Sequence, residues 1–280
     1  MGAGSKAWLN RHVKDHFVRQ AREQGLQSRA AFKLKEIQAK HRILRPGSVV
    51  IDCGAAPGGW TQIATEIVRS PSQGLVIAVD LLPLRPPIPT ALCLQQDFTD
   101  PATVQTIRTV LDRFQEQRRL RQLARQRPPK PRQDAGPTTI SSNQSKSTTM
   151  PSSSETQQSL PPPPPPRRIV DAVLCDMAPS FSGTKAIDRL RTVALAESAL
   201  VFAEEVLRPG GSFVCKVLQG PETDQLRQRM NAHFKSVMYE KPKSSRSESA
   251  EGFLVALGFG QRDMAATGQR SDVEADGGRQ

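Results

Sequence analysis

Aromatic side chains are scarce. They make up 5% of the 280 residues, with one tyrosine and two tryptophans. Stacking on many bases is therefore excluded as the main mode of binding, leaving Trp8, Phe17 and Phe32 for a minor role. The four cysteines, Cys53, Cys93, Cys175 and Cys215, form no CxxC pair. A disulfide framework and a cysteine zinc site are unsupported, and small buried side chains in a reducing compartment are the expectation. His12 and His16 are four apart, but no third ligand is nearby, so no metal is expected. No apolar run reaches the roughly 18 residues of a membrane span.

Hydrophobic residues reach only 37%, but the deficit is concentrated. From about Phe114 the chain turns basic and Gln-rich ("RRLRQLARQRPPKPRQ"), then Ser/Thr-rich, and ends in "LPPPPPPRR". Residues 126–168 carry too few apolar groups to repay the entropy of ordering, and the six prolines favour a stiff spacer. They read as a disordered insertion. The tail, 260–280, reads the same way. A basic segment, 1–27, precedes the body of the chain, 28–259. The net charge of +12 points to a polyanionic partner, nucleic acid first.

Without these segments a regular alternation emerges. Buried strands are predicted at Ser48–Gly54, Gly74–Leu81, Ala91–Asp97, Arg168–Ala178 and Ser212–Leu218, with "SVMYE" and "GFLVALGF" closing. Helices are predicted from Ser28 (a good N-cap), over Gly58–Arg69, over Ala186–Leu207 and over Glu222–His233. Such alternation implies an α/β fold: a mainly parallel seven-stranded sheet with helices on both faces.

Ligands of such sheets bind beyond the carboxyl ends of the strands. "DCGAAPGGW" lies there, and its spacing is not that of a dinucleotide fingerprint. Asp80 ends the second strand, where a carboxylate can accept both hydroxyls of a ribose. Asp97 follows the third, where it can receive an adenine amino group. Together they fit an adenosine-containing cofactor such as S-adenosylmethionine. Lys216 interrupts the apolar strand "SFVCKVL", and a lysine so placed needs a partner. Asp176, at the end of the adjacent predicted strand, can supply it. Taken alone, Lys33 reads as a solvated helical lysine and Glu251 as a surface acid.

The blocks "SRAAFKL", "DCGAAPGGW", "VDLLP", "DMAPSFSG", "SFVCKVLQG" and "KPKSSRSESAEGFLVA" resemble, in order, those of the FtsJ-like (RrmJ-like) RNA 2′-O-ribose methyltransferases. The resemblance spans most of Lys6–Gly258 outside the insertion. It implies a Rossmann-like methyltransferase fold with S-adenosyl-L-methionine as cofactor. It implies a catalytic tetrad of Lys33, Asp176, Lys216 and Glu251. Cofactor contacts fall on Gly54, Pro57, Gly58, Gly59, Trp60, Asp80, Asp97, Phe98 and Asp176. Whether Lys216 acts as a base or as an electrostatic stabiliser stays open: burial and Lys33 lower its pKa, Asp176 and Glu251 raise it.

"WLNRHVKD", "SFVCK" and "SRSESAE" look like the mitochondrial branch of the family, which methylates a uridine ribose in large-subunit rRNA. That implies a matrix enzyme aiding ribosome biogenesis, with nucleus or cytoplasm as the alternative, acting as a monomer on rRNA or an assembling large subunit. Arg11, Lys14, Arg19, Arg22, Arg29 and Lys35 are the expected RNA contacts. Two rival readings are a tRNA ribose methyltransferase, which "DHFVRQAREQGLQSRAAFKL" also resembles, and a catalytically idle ribosome-assembly factor.

Overall fold

A computed structural model describes residues 15–126 and 168–260. The expected insertion, the tail, and Arg11 and Lys14 lie almost wholly outside them. Two compact units divide the chain, Met1–Asp112 with Arg167–Gln280, and Arg113–Pro166. Of the second, the described part is helical, with the Arg118 guanidinium 5.6 Å from the Phe114 ring.

The first unit is built on one seven-stranded sheet in the order β3-β2-β1-β4-β5-β7-β6. Strands β1 (Val49–Cys53), β2 (Leu75–Asp80), β3 (Leu92–Gln95), β4 (Val170–Cys175) and β5 (Leu207–Leu218) are mutually parallel. The last strand, β7 (Glu251–Phe259), runs antiparallel between β5 and β6 (Phe234–Glu240). All five residues of β1 are buried, as expected of a central parallel strand covered on both faces. The edge strand β3 is largely open, and Cys93 is exposed on it, unlike the other three cysteines. The expectation of four buried thiols fails there because an edge strand has one flank uncovered.

Short helix α1 (His16–Glu23) precedes α2 (Ala30–His41). Next come α3 (Gly59–Val68), α4 (Pro101–Gln126), α5 (Lys185–Val206) and α6 (Pro221–Asn231). On one face Leu34, Ile37, Trp60 and Ile63 pack with Val214, Phe253 and Val255 of the sheet. Residues alternate across a strand, so Phe213 faces the other way. Its ring lies 6.5 Å from Phe234, which is 5.3 Å from Phe259.

Two local outcomes differ from the sequence reading. Ser28 does not cap α2 with its side chain: the helix starts at Ala30, and Arg29 holds the cap position with helical dihedrals. Helix α4 was not visible as a block, yet it is well specified. Asp100 Oδ1 accepts from Ala102 N at 2.8 Å, Pro101 occupies the first turn, and Thr103, Ile107 and Leu111 form a buried stripe at four-residue spacing.

Candidate active site

Register brings Asp176 and Lys216 together. Cys175 of β4 pairs with Cys215 of β5, so the next residue of each strand stands side by side at the carboxyl end of the sheet. Lys216 Nζ lies 2.6 Å from Asp176 Oδ1 and donates to the Asp176 carbonyl at 2.9 Å. The misfit of "SFVCKVL" is thus resolved by pairing: only 9% of Lys216 is exposed.

Glu251 opens β7 two residues along from the partner of Lys216, with Leu218 opposite. Its Oε2 is 3.7 Å from Lys216 Nζ, and its Oε1 is 2.7 Å from Lys33 Nζ. Ser245 Oγ donates to the same Oε1 at 2.8 Å. Lys33 is buried, with its ammonium 5.6 Å from the Phe253 ring centroid. The solitary readings of Lys33 as solvated and Glu251 as a surface acid are therefore corrected: the two form an ion pair, with Lys33 buried and Glu251 half-buried.

Charge states follow from these contacts. Burial alone would pull the Lys216 pKa down, but the carboxylates of Asp176 and Glu251 outweigh it and hold the amine above its ordinary value. Burial would likewise raise Glu251, but Lys33 and Lys216 hold it below the usual glutamate range. Asp52, in β1, behaves oppositely. It is enclosed, and burial pushes its carboxyl up to about 7 despite the hydrogen bond from Thr61 Oγ1 at 2.6 Å to Oδ2. Its Oδ1 is buried without a hydrogen-bond partner.

The segment that carries Glu251 is pinned to α2. Glu36 accepts from Lys243 N at 2.6 Å and Ser244 N at 2.9 Å. Arg29 donates to the Ser244 carbonyl and pairs with Asp15. Asp15 also holds Arg246 at 3.2 Å and caps α1 through Phe17 N at 3.0 Å. Arg29, expected among the RNA contacts, thus takes part in an internal clamp and also lines the cavity that opens beside Lys216. Arg19, Arg22 and Lys35 are exposed. Phe17 and Phe32 pack on each other, 5.5 Å between centroids, rather than offering free faces.

A cavity of about 960 Å³ opens beside Lys216 and Asp176. Lys33, Gly54, Pro57, Asp80, Asp97 and Phe98 also line it. Asp80 braces the loop after β1: Oδ2 accepts from Ala56 N and Oδ1 from Leu82 N, both at 2.8 Å. Gly54 has φ +72°, and a Cβ there would collide with Met177, so only glycine lets this loop meet the "DMAP" segment. That segment is shaped in turn by buried Asp188, which accepts from Ser182 N at 2.6 Å and Gly183 N at 3.2 Å.

An adenosine-containing cofactor fits these groups. Each Asp80 oxygen keeps a lone pair beyond its backbone bond. The Asp97 bonds from Thr99 N and Oγ1, at 2.9 and 2.7 Å, both go to Oδ1 and leave Oδ2 for a donor. Ser28 Oγ is buried without a hydrogen-bond partner and lines the same cavity. The volume is within the range of small-molecule sites.

Three further residues expected at the cofactor, Gly58, Gly59 and Trp60, follow directly on the cavity-lining Pro57. Trp60 is 2% exposed; its Nε1 donates to the Ala30 carbonyl at 2.9 Å and its ring lies 5.4 Å from Phe253. Gly58, at φ +118°, has no room for a Cβ beside Gln27 Oε1, and Gly59 none beside Ser28 Oγ. They serve the close approach of the loop to the α1–α2 turn. The Asp15–Arg29–Ser244 clamp, the Glu36 bonds and Asp188 were missed by sequence reasoning. The one available signal was the excess of charge in segments otherwise read as loops. Among the described residues no cluster of side chains suits a metal ion, and no helix is long and apolar enough to cross a membrane.

Comparison with known proteins gives a consistent pattern. The family model for FtsJ-like methyltransferase matches residues 26–259. "Ribosomal RNA large subunit methyltransferase E" of Alkalilimnicola ehrlichii is 38% identical over 257 residues, covering 92% of this chain and 96% of that protein. The protein of the same name from Acinetobacter baumannii is 35% identical over 258 residues, 92% of this chain and 93% of that one. Among solved structures, a Plasmodium falciparum ribosomal RNA methyltransferase is similar with a TM-score of 0.54. It is 22% identical and covers 83% of this chain and 98% of that one, a likeness of fold.

Proposed function

Because this chain belongs to the FtsJ-like methyltransferase family, we propose that it methylates the 2′-hydroxyl of a ribose in large-subunit ribosomal RNA, using S-adenosyl-L-methionine. The observation that carries this reading is the chain of ion pairs Lys33–Glu251–Lys216–Asp176, whose Lys33, Lys216 and Asp176 line a cavity that also presents Asp80 and Asp97. The relatives' name, with chains matched over nearly their whole length, supports the RNA class.

When bound, the cofactor supplies an activated methyl group. The protein's own task is to present a weak nucleophile to it. Asp80 and Asp97 would hold the ribose and the adenine amino group through their remaining acceptor positions. Lys216, kept as an ammonium by two carboxylates, would stabilise the negative charge that develops on the attacking 2′-oxygen. This is the electrostatic role rather than that of a base: a lysine whose proton is held this firmly is a poor acceptor of another, so the hydroxyl proton would pass to solvent water at the open cavity as the O–CH3 bond forms. Asp176 fixes the direction of the ammonium, and Lys33 and Glu251 fix its position. Holding donor and acceptor in line supplies a large part of the rate.

The finer reading is a uridine as target and the mitochondrial matrix as location. It is supported by the sequence blocks "WLNRHVKD", "SFVCK" and "SRSESAE", and by nothing in the site's geometry. Mapping 2′-O-methyl groups in rRNA from cells with and without the protein tests the whole reading. A single lost methylation on a large-subunit uridine is expected. An unchanged rRNA map with a lost tRNA methylation would overturn it. Cell fractionation tests the location.

A further inference from the structure

A second cavity, of about 400 Å³, lies at the other end of the sheet. Ser48, just before β1, lines it, whereas Gly54, just after β1, lines the cofactor cavity. Six residues of extended chain separate the two, about 20 Å. The two cavities share no lining residue.

The chemistry of this second cavity is one-sided. Arg42, Arg45, Lys235 and Arg208 stand around it, with the hydroxyls of Ser48 and Ser212 in its wall. Arg208 is neutralised: its Nε lies 2.7 Å from Asp171 Oδ1, while Asp171 Oδ2 accepts from Val49 N at 2.7 Å. The nearby carboxylate of Glu240 is taken by Lys40 at 2.7 Å and His41 at 3.0 Å. Arg42, Arg45 and Lys235 are exposed and enter no ion pair among the described residues. Three uncompensated cations thus ring a polar hollow. Arg42 closes α2 at φ +51°, a left-handed position that glycine takes without steric cost and arginine does not.

We infer that this hollow binds backbone phosphate of the RNA substrate, as a second contact at the opposite end of the sheet from the methyl-transfer site. The inference rests on the proposed RNA methyltransferase activity and adds a property to it. A bound substrate would have to reach at least 20 Å past the modified ribose. A single-stranded fragment of a few nucleotides spans only the active site; a folded rRNA domain reaches both. Phosphate, rather than a base edge, is the matching ligand because guanidinium and ammonium groups at a rim recognise charge without reading sequence.

The test compares the wild-type protein with a triple variant, Arg42→Gly, Arg45→Gln and Lys235→Gln. Arg42→Gly removes a charge while relieving the left-handed conformation. Binding of a large-subunit rRNA domain transcript and of a fragment of about six nucleotides around the target would be followed against salt. Loss of two to three phosphate contacts is expected to lower the slope of log affinity on log salt by about 2. Affinity for the domain transcript should fall at least about tenfold at physiological salt. Affinity for the fragment, cofactor affinity and kcat should hold. An unchanged slope for the domain transcript would overturn the inference, as would an equal loss for the fragment. If the triple variant melts early, Lys235→Glu alone, at an exposed position, decides by a slope lowered by about 1 for the domain transcript and unchanged for the fragment. Failure of the wild-type protein to methylate any RNA would instead sink the activity reading.

Discussion

Lys33 and Lys216 are held by one carboxylate: Glu251 reaches Lys33 Nζ through Oε1 at 2.7 Å and Lys216 Nζ through Oε2 at 3.7 Å. The carboxylate keeps two like charges near one another in a buried place. Glu251→Gln is expected to lower kcat strongly and to destabilise the fold. The sign with pH follows from the lowered carboxyl. Its stabilisation is present above the ordinary value of 4.5 and is lost as pH falls through the lower folded value. The melting temperatures of variant and wild type should therefore differ most near neutrality and converge in acid. A constant difference across pH would contradict the pairing.

Lys216→Met should reduce methyl transfer by at least about a hundredfold, comparable with the loss of an oxyanion donor, while leaving cofactor affinity unchanged. Isothermal titration with the cofactor and labelled-methyl transfer to rRNA separate the two effects. The protonation state has its own signature. If the ammonium is the working form, the Lys216-dependent rate is flat up to its raised pKa and falls above it. A rate that climbs with pH through the alkaline range would return Lys216 to the role of base.

Asp52→Asn should change the pH dependence of stability rather than the chemistry. A buried carboxyl raised from 3.8 to about 7 keeps its proton in the folded state over that interval and loses it in the unfolded state. Wild-type stability therefore declines as pH rises from about 4 to about 7 on this account. Asparagine, which can still accept from Thr61, removes the decline. Thermal melts of both proteins across that window check it; parallel curves would contradict it.

Asp80→Ala removes the acceptor of Ala56 N and Leu82 N as well as the proposed ribose contact. Cofactor affinity should weaken about 10- to 100-fold, the cost of losing hydrogen bonds to a charged group. Equilibrium binding measures it, and unaltered affinity would remove Asp80 from the site.

Gly58→Ala separates packing from ligand binding. The added Cβ meets Gln27 and forces a φ of +118° on an L-residue, so a loss of about 1–3 kcal/mol in stability is expected. Chemical denaturation reads it. A stable variant that has lost only cofactor affinity would show that Gly58 serves the cofactor rather than the packing.

The sheet and the pairing of Asp176 with Lys216 were legible because strand order along the chain and the carboxyl-end rule need only local patterns. The partnership of Lys33 with Glu251 was legible only through family resemblance. Their separation in sequence hides it, and each reads alone as a solvated charge. The packing of Trp60 was not legible either: its indole N–H is satisfied by the Ala30 carbonyl and its ring belongs to the core. The protonation of Lys216 was unreadable for another reason. It depends on a contest between burial and two carboxylates, whose distances from the amine no sequence pattern gives. The clamp of Asp15, Arg29 and Glu36 joins residues more than 200 positions apart to the Glu251 segment, and no periodic pattern encodes such a bond.

The place of β7 in the sheet also sets an order of events. It lies between β5 and β6 although it is made after both, so those two strands cannot join until it arrives. It brings Glu251 with it. A ribosome-bound chain that has emerged only as far as β6 therefore carries Lys33, Asp176 and Lys216 on an unfinished sheet, with the two lysines unbridged. The bridge between the two lysines thus forms in the same step that completes the hydrogen-bonded framework.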